Sequence, residues 1–292
     1  MNAARKTVRA YVELARLSNI PTCFSNVLVG GAIGGLTDWS QWRMVLSVTL
    51  AIGLMYIAGM ALNDALDHAI DRKQRPNRPI PSGRISVRGA YTFAGICVAI
   101  AIALLASLGM AALLLGSVLA ITIILYDWLH KNFQPAALLM GCCRGLVYII
   151  AAFAIAGPID WTTAIALAGA LTVYISIVTF IAQTEVDATS TRRNGLALVL
   201  PLVLVLPAVL VRPETWSWAI IAALPTLTWL ILAARLALSR PPNTKNAILT
   251  WLAGICLIDA FFLTLLDQPV LALGALGCFV LTAIGHRYIL GT

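Results

Sequence analysis

Charge is scarce in this 292-residue chain: 11% of its residues are Asp, Glu, Lys or Arg, and only 12 are acidic. A soluble domain has about a quarter of its residues charged, so that class is excluded. With 60% hydrophobic residues and a mean hydropathy of +0.91, the chain cannot hide its apolar surface in water. No basic domain stands apart, so the formal charge of +8 does not point to nucleic acid. The basic residues lie in short loops, as residues kept at the cytoplasmic leaflet do. Cysteines with metal-site spacing in a loop are lacking too. All six (Cys23, Cys97, Cys142, Cys143, Cys256 and Cys278) fall inside apolar segments, where they serve as small packing residues.

What the chain has instead is long apolar runs, at about 21–36, 44–62, 90–107, 110–128, 136–156, 161–181, 195–211, 215–237, 247–266 and 270–288. Most are near the ~20 residues that cross hydrocarbon as a helix. The expected fold is therefore all-α: a polytopic transmembrane bundle of about nine or ten helices, one domain over 1–292. Arg5, Lys6, Arg9 and Arg16 among apolar residues make the first 20 residues an amphipathic interfacial segment, retained rather than cleaved. Most remaining basic residues fall on the same side of the membrane as this segment, which makes that side cytoplasmic.

One polar stretch interrupts the runs, NDALDHAIDRKQRPNRPIPSGRIS at 63–86. On a continuing helix, about 100° per residue places Asn63, Asp64, Asp67 and Asp71 within roughly a quarter-turn of one another. Three carboxylates and an amide on one face repel unless a cation bridges them, and all-oxygen ligands suit a hard ion such as Mg2+. Directly behind come Arg72, Lys73, Arg75, Arg78 and Arg84. Acid followed by base matches a metal-bound polyphosphate. The plain alternative is a solvated loop whose arginines reflect insertion bias. Acids contribute little to that bias, so their clustering asks for another reason.

Asn63-Asp64, Asp67 and Asp71, followed by RPNRPIPSGRIS, resemble the first aspartate-rich motif of the UbiA superfamily of intramembrane prenyltransferases. The resemblance implies a helical fold of usually nine spans. It also implies Mg2+-assisted binding of an isoprenyl diphosphate, whose allylic chain passes to an acceptor. On this pattern Mg2+ is held by Asn63, Asp67 and Asp71 with Asp64 nearby, and Arg72, Lys73, Arg78 and Arg84 meet the diphosphate.

A second segment, QTEVDATSTRRNG at 183–195, pairs with the first without gaps: Asn63 with Gln183, Asp67 with Asp187, Asp71 with Thr191, and Arg72-Lys73 with Arg192-Arg193. Two pseudo-repeated halves around a central cavity are expected. UbiA enzymes typically carry acids four residues apart here and bind a second Mg2+. This chain offers Gln183 and Asp187, with Glu185 about 160° from Gln183 on a continuing helix. Asp187 and Glu185 are candidate ligands and Arg192 a candidate substrate contact, against a plain polar loop.

In YDWLHKN (126–132), Tyr126 and Lys131 match a tyrosine and a basic residue that approach the diphosphate in UbiA proteins. Asp127 and His130 are either metal-adjacent, an acid/base pair or, for His130, a helix-end cap. Arg144 lies about two turns inside a span and should pair with a carboxylate or an anionic ligand, or else snorkel to the surface. Asn26 and Asp259 either contact an acceptor or join helices. Tyr126, Tyr148 and Phe180 are candidates to shelter an allylic cation.

The departures suggest an outlying branch, similar to the EboC-type proteins, and leave the lipophilic or aromatic acceptor open. Two other readings stand beside prenyl transfer. One is a lipid-linked phosphoryl or phosphoribosyl transferase on the same scaffold. The other is a non-catalytic isoprenoid-binding or transport protein.

Overall fold

Inside a bilayer, backbone amides and carbonyls have no water to pair with, so a long apolar run must close its own hydrogen bonds as a helix. The computed structural model describes residues 3–183, 191–211 and 216–288, and every regular element in them is helical. Helix α1 (Ala3–Leu14) leads through a 3-10 turn to α2 (Ile20–Ile33). Helix α3 (Trp42–Leu66) and the short α4 (His68–Gln74) carry the polar stretch. Two antiparallel pairs follow, α5 (Val87–Ser107) with α6 (Met110–Leu129) and α7 (Ala137–Ile155) with α8 (Trp161–Ala182). After α9 (Thr191–Asn194) come α10 (Val205–Val211), α11 (Trp216–Leu238), α12 (Thr244–Leu265) and α13 (Pro269–Tyr288).

Eight of these segments are long and apolar enough to cross a membrane, and Leu17–Ile33 and Gly195–Val211 are shorter apolar helices. Together they account for all ten expected runs, and the chain is an integral membrane protein. One run departs from expectation. Residues 195–211 do not form a continuous α-helix but two 3-10 stretches, Gly195–Leu198 and Leu200–Leu204, before α10. Pro201 and Pro207 lie within it, each removing an N–H donor and crowding the preceding turn.

Helix α12 forms the centre, with 83% of its most apolar window buried, whereas α6 and α13, with 22% each, face outward. Close approach of the inner helices depends on small residues. A Cβ at Gly30 would fall 2.9 Å from Tyr148 Cα, and one at Gly34 would fall 2.8 Å from Ala152 Cα, so α2 and α7 touch along their backbones. At Gly145 a Cβ would come within 2.9 Å of the Ala168 carbonyl, which brings α7 equally close to α8. This is the small-xxx-small packing of membrane helices.

A second, smaller core holds the polar stretch in place. Ala10 and Leu14 of α1, Ala58, Ala61 and Ala65 of α3, Ala90 and Ala94 of α5, and Ile80 and Ile85 of the loop between α4 and α5 are buried together. The loop ends where the Ser86 hydroxyl accepts from the Gly89 amide at 3.0 Å and caps α5. It is thus anchored at both ends.

Candidate functional site

The acids of the 63–71 stretch straddle the boundary between α3 and α4, at Asp67. Helix α3 stops at Leu66, Asp67 closes it through its amide to the Asn63 carbonyl at 2.9 Å, and a His68 ring nitrogen lies 2.9 Å from the Ala65 carbonyl. The polar side chains of this stretch take their partners in three groups, with Asp64 and Asp71 in the same one.

The first group is a cluster of alternating charge. Arg16 donates to Asp64 Oδ1 at 2.8 Å, and Arg78 donates to the same oxygen at 3.2 Å and to Asp71 Oδ2 at 2.7 Å. Arg16 reaches in from a left-handed turn (φ 43°, ψ 51°) between α1 and α2, a conformation that costs a non-glycine residue about 1–2 kcal/mol. Asp64 and Asp71 are buried, so each needs its guanidinium partner.

The second group gathers on Asp67. Lys131 Nζ lies 2.6 Å from Asp67 Oδ1, and His130 Nε2 lies 3.5 Å from Oδ2. Burial alone would raise the Asp67 pKa, but the hydrogen bonds and charges of His130 and Lys131 outweigh it and hold the carboxyl below its ordinary value. Burial would likewise lower His130, yet the bond to Asp67 and the neighbouring carboxylate charges raise it. His130 caps α6, its Nδ1 3.1 Å from the Asp127 carbonyl, and its ring stacks on Tyr126 with centroids 5.1 Å apart.

In the third group, Asn63 Nδ2 donates to Asp127 Oδ1 at 3.2 Å. The other Asp127 oxygen is buried without a hydrogen-bond partner among the described residues.

These groups surround a cavity of about 280 Å³ whose lining includes Arg16, Asn63, Asp67, Arg78, His130 and Gln183. It meets a second, apolar cavity of about 70 Å³ bounded by Ile52, Met55, Leu119, Ile123 and Val147. Both are lined by Tyr56, Met60, Tyr126, Met140 and Arg144, so a polar mouth opens onto an apolar interior. Arg144 does not snorkel. Its Nη1 donates to Asn26 Oδ1 at 3.0 Å, and its guanidinium carbon stands 5.7 Å from the centre of the Tyr56 ring.

Several expected positions lie elsewhere. Arg72 and Lys73 are exposed and do not line the mouth. Arg84 pairs with Glu13 at 2.5 Å and with the Asn77 carbonyl at 2.7 Å, tying the loop to α1 rather than reaching the cavity. Tyr148 is fully buried against Asp259, and Phe180 lies under the Arg193 guanidinium at 4.6 Å. Neither lines the two cavities. Glu185, Asp187 and the Arg192 side chain lie outside the described residues. Gln183, paired with Asn63 in the ungapped comparison, does line the same mouth as Asn63. Both its amide atoms are buried without a hydrogen-bond partner among the described residues.

Arg75, one of the basic residues behind the acids, lines the mouth, and so do Arg16, Asn19 and Tyr56, which the sequence did not mark as site residues. The signal for Arg16 and Asn19 was present in RLSNIPT, a basic and an amide residue at the threshold of the first span.

Among the described residues, no three His, Cys, Asp or Glu side chains gather closely enough to enclose a metal. The mouth offers instead the oxygens of Asn63, Asp67 and Gln183, with the unpartnered Asp127 oxygen alongside Asn63. That donor set fits a hard divalent cation held by one or two protein groups, with phosphate and water completing its shell.

Three comparisons bear on this geometry. The chain is 34% identical over 128 residues to the digeranylgeranylglyceryl phosphate synthase of Methanopyrus kandleri, a match spanning 43% of this chain and 45% of that protein, so it covers about half the length of this curated relative. In fold it is similar to a UbiA homolog from Aeropyrum pernix K1, with a TM-score of 0.69 at 18% identity over 84% of this chain and 97% of that one. It is also similar to a UbiA homolog from Archaeoglobus fulgidus bound to DMAPP and Mg2+, with a TM-score of 0.60 at 15% identity over 88% and 99%. The model of the UbiA prenyltransferase family matches residues 23–255, most of the chain. With its helical bundle and its polar mouth above an apolar interior, this chain belongs to the UbiA prenyltransferase family.

Proposed function

We propose that this protein transfers an isoprenyl group from a prenyl diphosphate to a lipophilic acceptor in the membrane, with Mg2+ as cofactor. One observation carries the reading: a mouth lined by arginines, a carboxylate and amides opens directly onto an apolar cavity. A diphosphate head with an isoprenoid tail has that same division. The DMAPP and Mg2+ of the A. fulgidus homolog support the donor class. The name of the M. kandleri relative supports a lipid as acceptor.

Asn63, Asp67 and Gln183 offer oxygens to the cation, while Arg16 and Arg78 aim guanidinium groups at the phosphate oxygens. Mg2+, when bound, neutralises charge on the departing diphosphate. Lys131 holds Asp67 ionised and adds a positive charge beside the leaving group. Asp64 and Asp71 act through Arg78 by fixing its direction. The Tyr126 and Tyr56 rings at the junction face the allylic end of the chain, and the apolar walls keep water from the electrophilic carbon until the acceptor takes it. Arg72, Lys73, Arg75 and Lys131 cluster at this end of the bundle, so the mouth faces the cytoplasm.

Gln183, an amide where an acid would add charge, favours a second reading: an isoprenoid-binding protein without turnover. Pyrophosphate release by the purified protein, with Mg2+, several prenyl diphosphates and a lipid extract as acceptor pool, separates the two. Release that vanishes in Asp67→Asn supports transfer. Binding without release supports the second reading, and absence of binding sinks both.

A further inference from the structure

The diphosphate reading leaves the Arg144 guanidinium unused. A guanidinium has five N–H donors. Among the described residues only Nη1 finds hydrogen-bond partners, Asn26 Oδ1 at 3.0 Å and Cys23 Sγ at 3.7 Å. Three other cations at the mouth already have carboxylates: Arg16 has Asp64, Arg78 has Asp64 and Asp71, and Lys131 has Asp67. Arg144 has none in direct contact among the described residues, yet it lies where the polar and apolar cavities meet. A cation with open donors at that depth calls for an anion.

Its direction is set from behind. Asp259, fully buried on the central helix α12, accepts from Ser25 Oγ at 2.5 Å, from Asn26 Nδ2 at 2.8 Å and from the Tyr148 hydroxyl. An amide whose NH2 group is fixed by a carboxylate must turn its oxygen the other way, and that oxygen is the one that meets Arg144. Helices α2, α7 and α12 supply every member of this relay, and α2 and α7 are locked backbone to backbone by Gly30 and Gly34.

We propose that Arg144 binds the anionic head of the prenyl acceptor and that Asp259, acting through Asn26, is its positioning residue. The acceptor is then an anionic amphiphile, not a neutral alcohol. This rests on the reading of the cavity as a prenyl-transfer site, and the test keeps the two apart. Thermal unfolding of the purified full-length protein in detergent is followed against decyl phosphate, decanol and, with Mg2+, geranyl diphosphate.

The wild type is expected to be stabilised by decyl phosphate and not by decanol. Arg144→Gln should weaken the decyl phosphate response by on the order of tenfold, the loss of a charge-assisted contact, and leave the geranyl diphosphate response within about twofold. Arg144→Lys should restore part of it. Asp259→Asn should weaken decyl phosphate by roughly threefold with geranyl diphosphate unchanged, whereas a merely structural role lowers both. If that variant does not fold, Asn26→Ala interrupts the same relay. Equal stabilisation by decanol, a decyl phosphate response that survives Arg144→Gln, or loss of both responses together would overturn the proposal. Decyl phosphate binding through Arg144 in a protein that ignores geranyl diphosphate would keep the anion site and sink the prenyl-transfer reading.

Discussion

Lys131 Nζ stands 2.6 Å from Asp67 Oδ1, which joins the end of α6 to the break between α3 and α4. The pair puts a positive charge beside the oxygen-rich side of the mouth. Lys131→Met is expected to lower prenyl-diphosphate turnover by about 100-fold, the scale of losing one group that stabilises a leaving oxyanion. Steady-state pyrophosphate release measures it. A change below about fivefold would remove Lys131 from the site.

Arg72 and Lys73 follow the acids in sequence but are exposed outside the mouth. Their alanine variants should release pyrophosphate within about twofold of the wild type, since surface changes away from a site are close to neutral. A loss as large as that of Lys131→Met would show that α4 turns inward when substrate binds.

Arg78 bridges Asp64 and Asp71, both buried. Arg78→Met leaves Asp71 without its cation and Asp64 with Arg16 alone, an uncompensated buried charge that costs about 3–5 kcal/mol. Thermal unfolding in detergent should show a clear drop in midpoint. Arg78→Lys should recover only part of it, because an ammonium cannot span two carboxylates as a planar fork does.

Glycines at the helix contacts should differ from those that meet nothing. Gly34→Ala forces a Cβ against the Ala152 backbone and should cost about 1–3 kcal/mol by overpacking. Gly169, inside α8, has no atom within 4 Å of an added Cβ, so Gly169→Ala should be neutral or stabilising by up to about 1 kcal/mol. The same unfolding assay ranks both.

Asp160 caps α8, its Oδ2 accepting from the Thr163 hydroxyl at 2.6 Å and its Oδ1 from the Thr162 amide at 3.0 Å. The Thr163 bond leads in holding its pKa below the ordinary carboxylate value. A depressed pKa means that the cap contributes fully above the unfolded value near ~4 and loses its contribution as pH falls through the folded one. Asp160→Ala should cost about 1 kcal/mol at neutral pH. The difference from wild type should shrink when the melts are repeated in increasingly acidic buffer.

The spans and the aspartate-rich stretch were legible because each writes its pattern locally, in a run of apolar residues or a four-residue spacing. The partners of the acids were not, since Arg16 and Asp64 are 48 positions apart and Asn63 and Asp127 are 64 apart. Nothing in the spacing says which cation takes which carboxylate. The quarter-turn spacing grouped the acids but did not show that Asp64 and Asp71 share Arg78 while Asp67 takes Lys131. In 195–211 the hydropathy hid what Pro201 and Pro207 do to the backbone. Asn26, Arg144 and Asp259 were each visible as costly polar residues within spans. Their order in one relay follows only from the crossing of α2, α7 and α12.

Helix α12 is as apolar as the outward-facing α6 although far more of it is covered by protein. The finished bundle does not require this, since a helix with protein on nearly every side could carry more polar residues as long as each found a partner. The requirement belongs to biosynthesis. A segment leaving the translocation machinery must enter lipid on its own before its neighbours close around it. Asp259 is the one acidic residue in α12, and a central carboxylate weighs about 2.5–3.5 kcal/mol against that entry. The surrounding leucines, isoleucines and phenylalanines then act as the passage that lets one carboxylate reach the middle of the membrane, where Ser25, Asn26 and Tyr148 are placed to receive it.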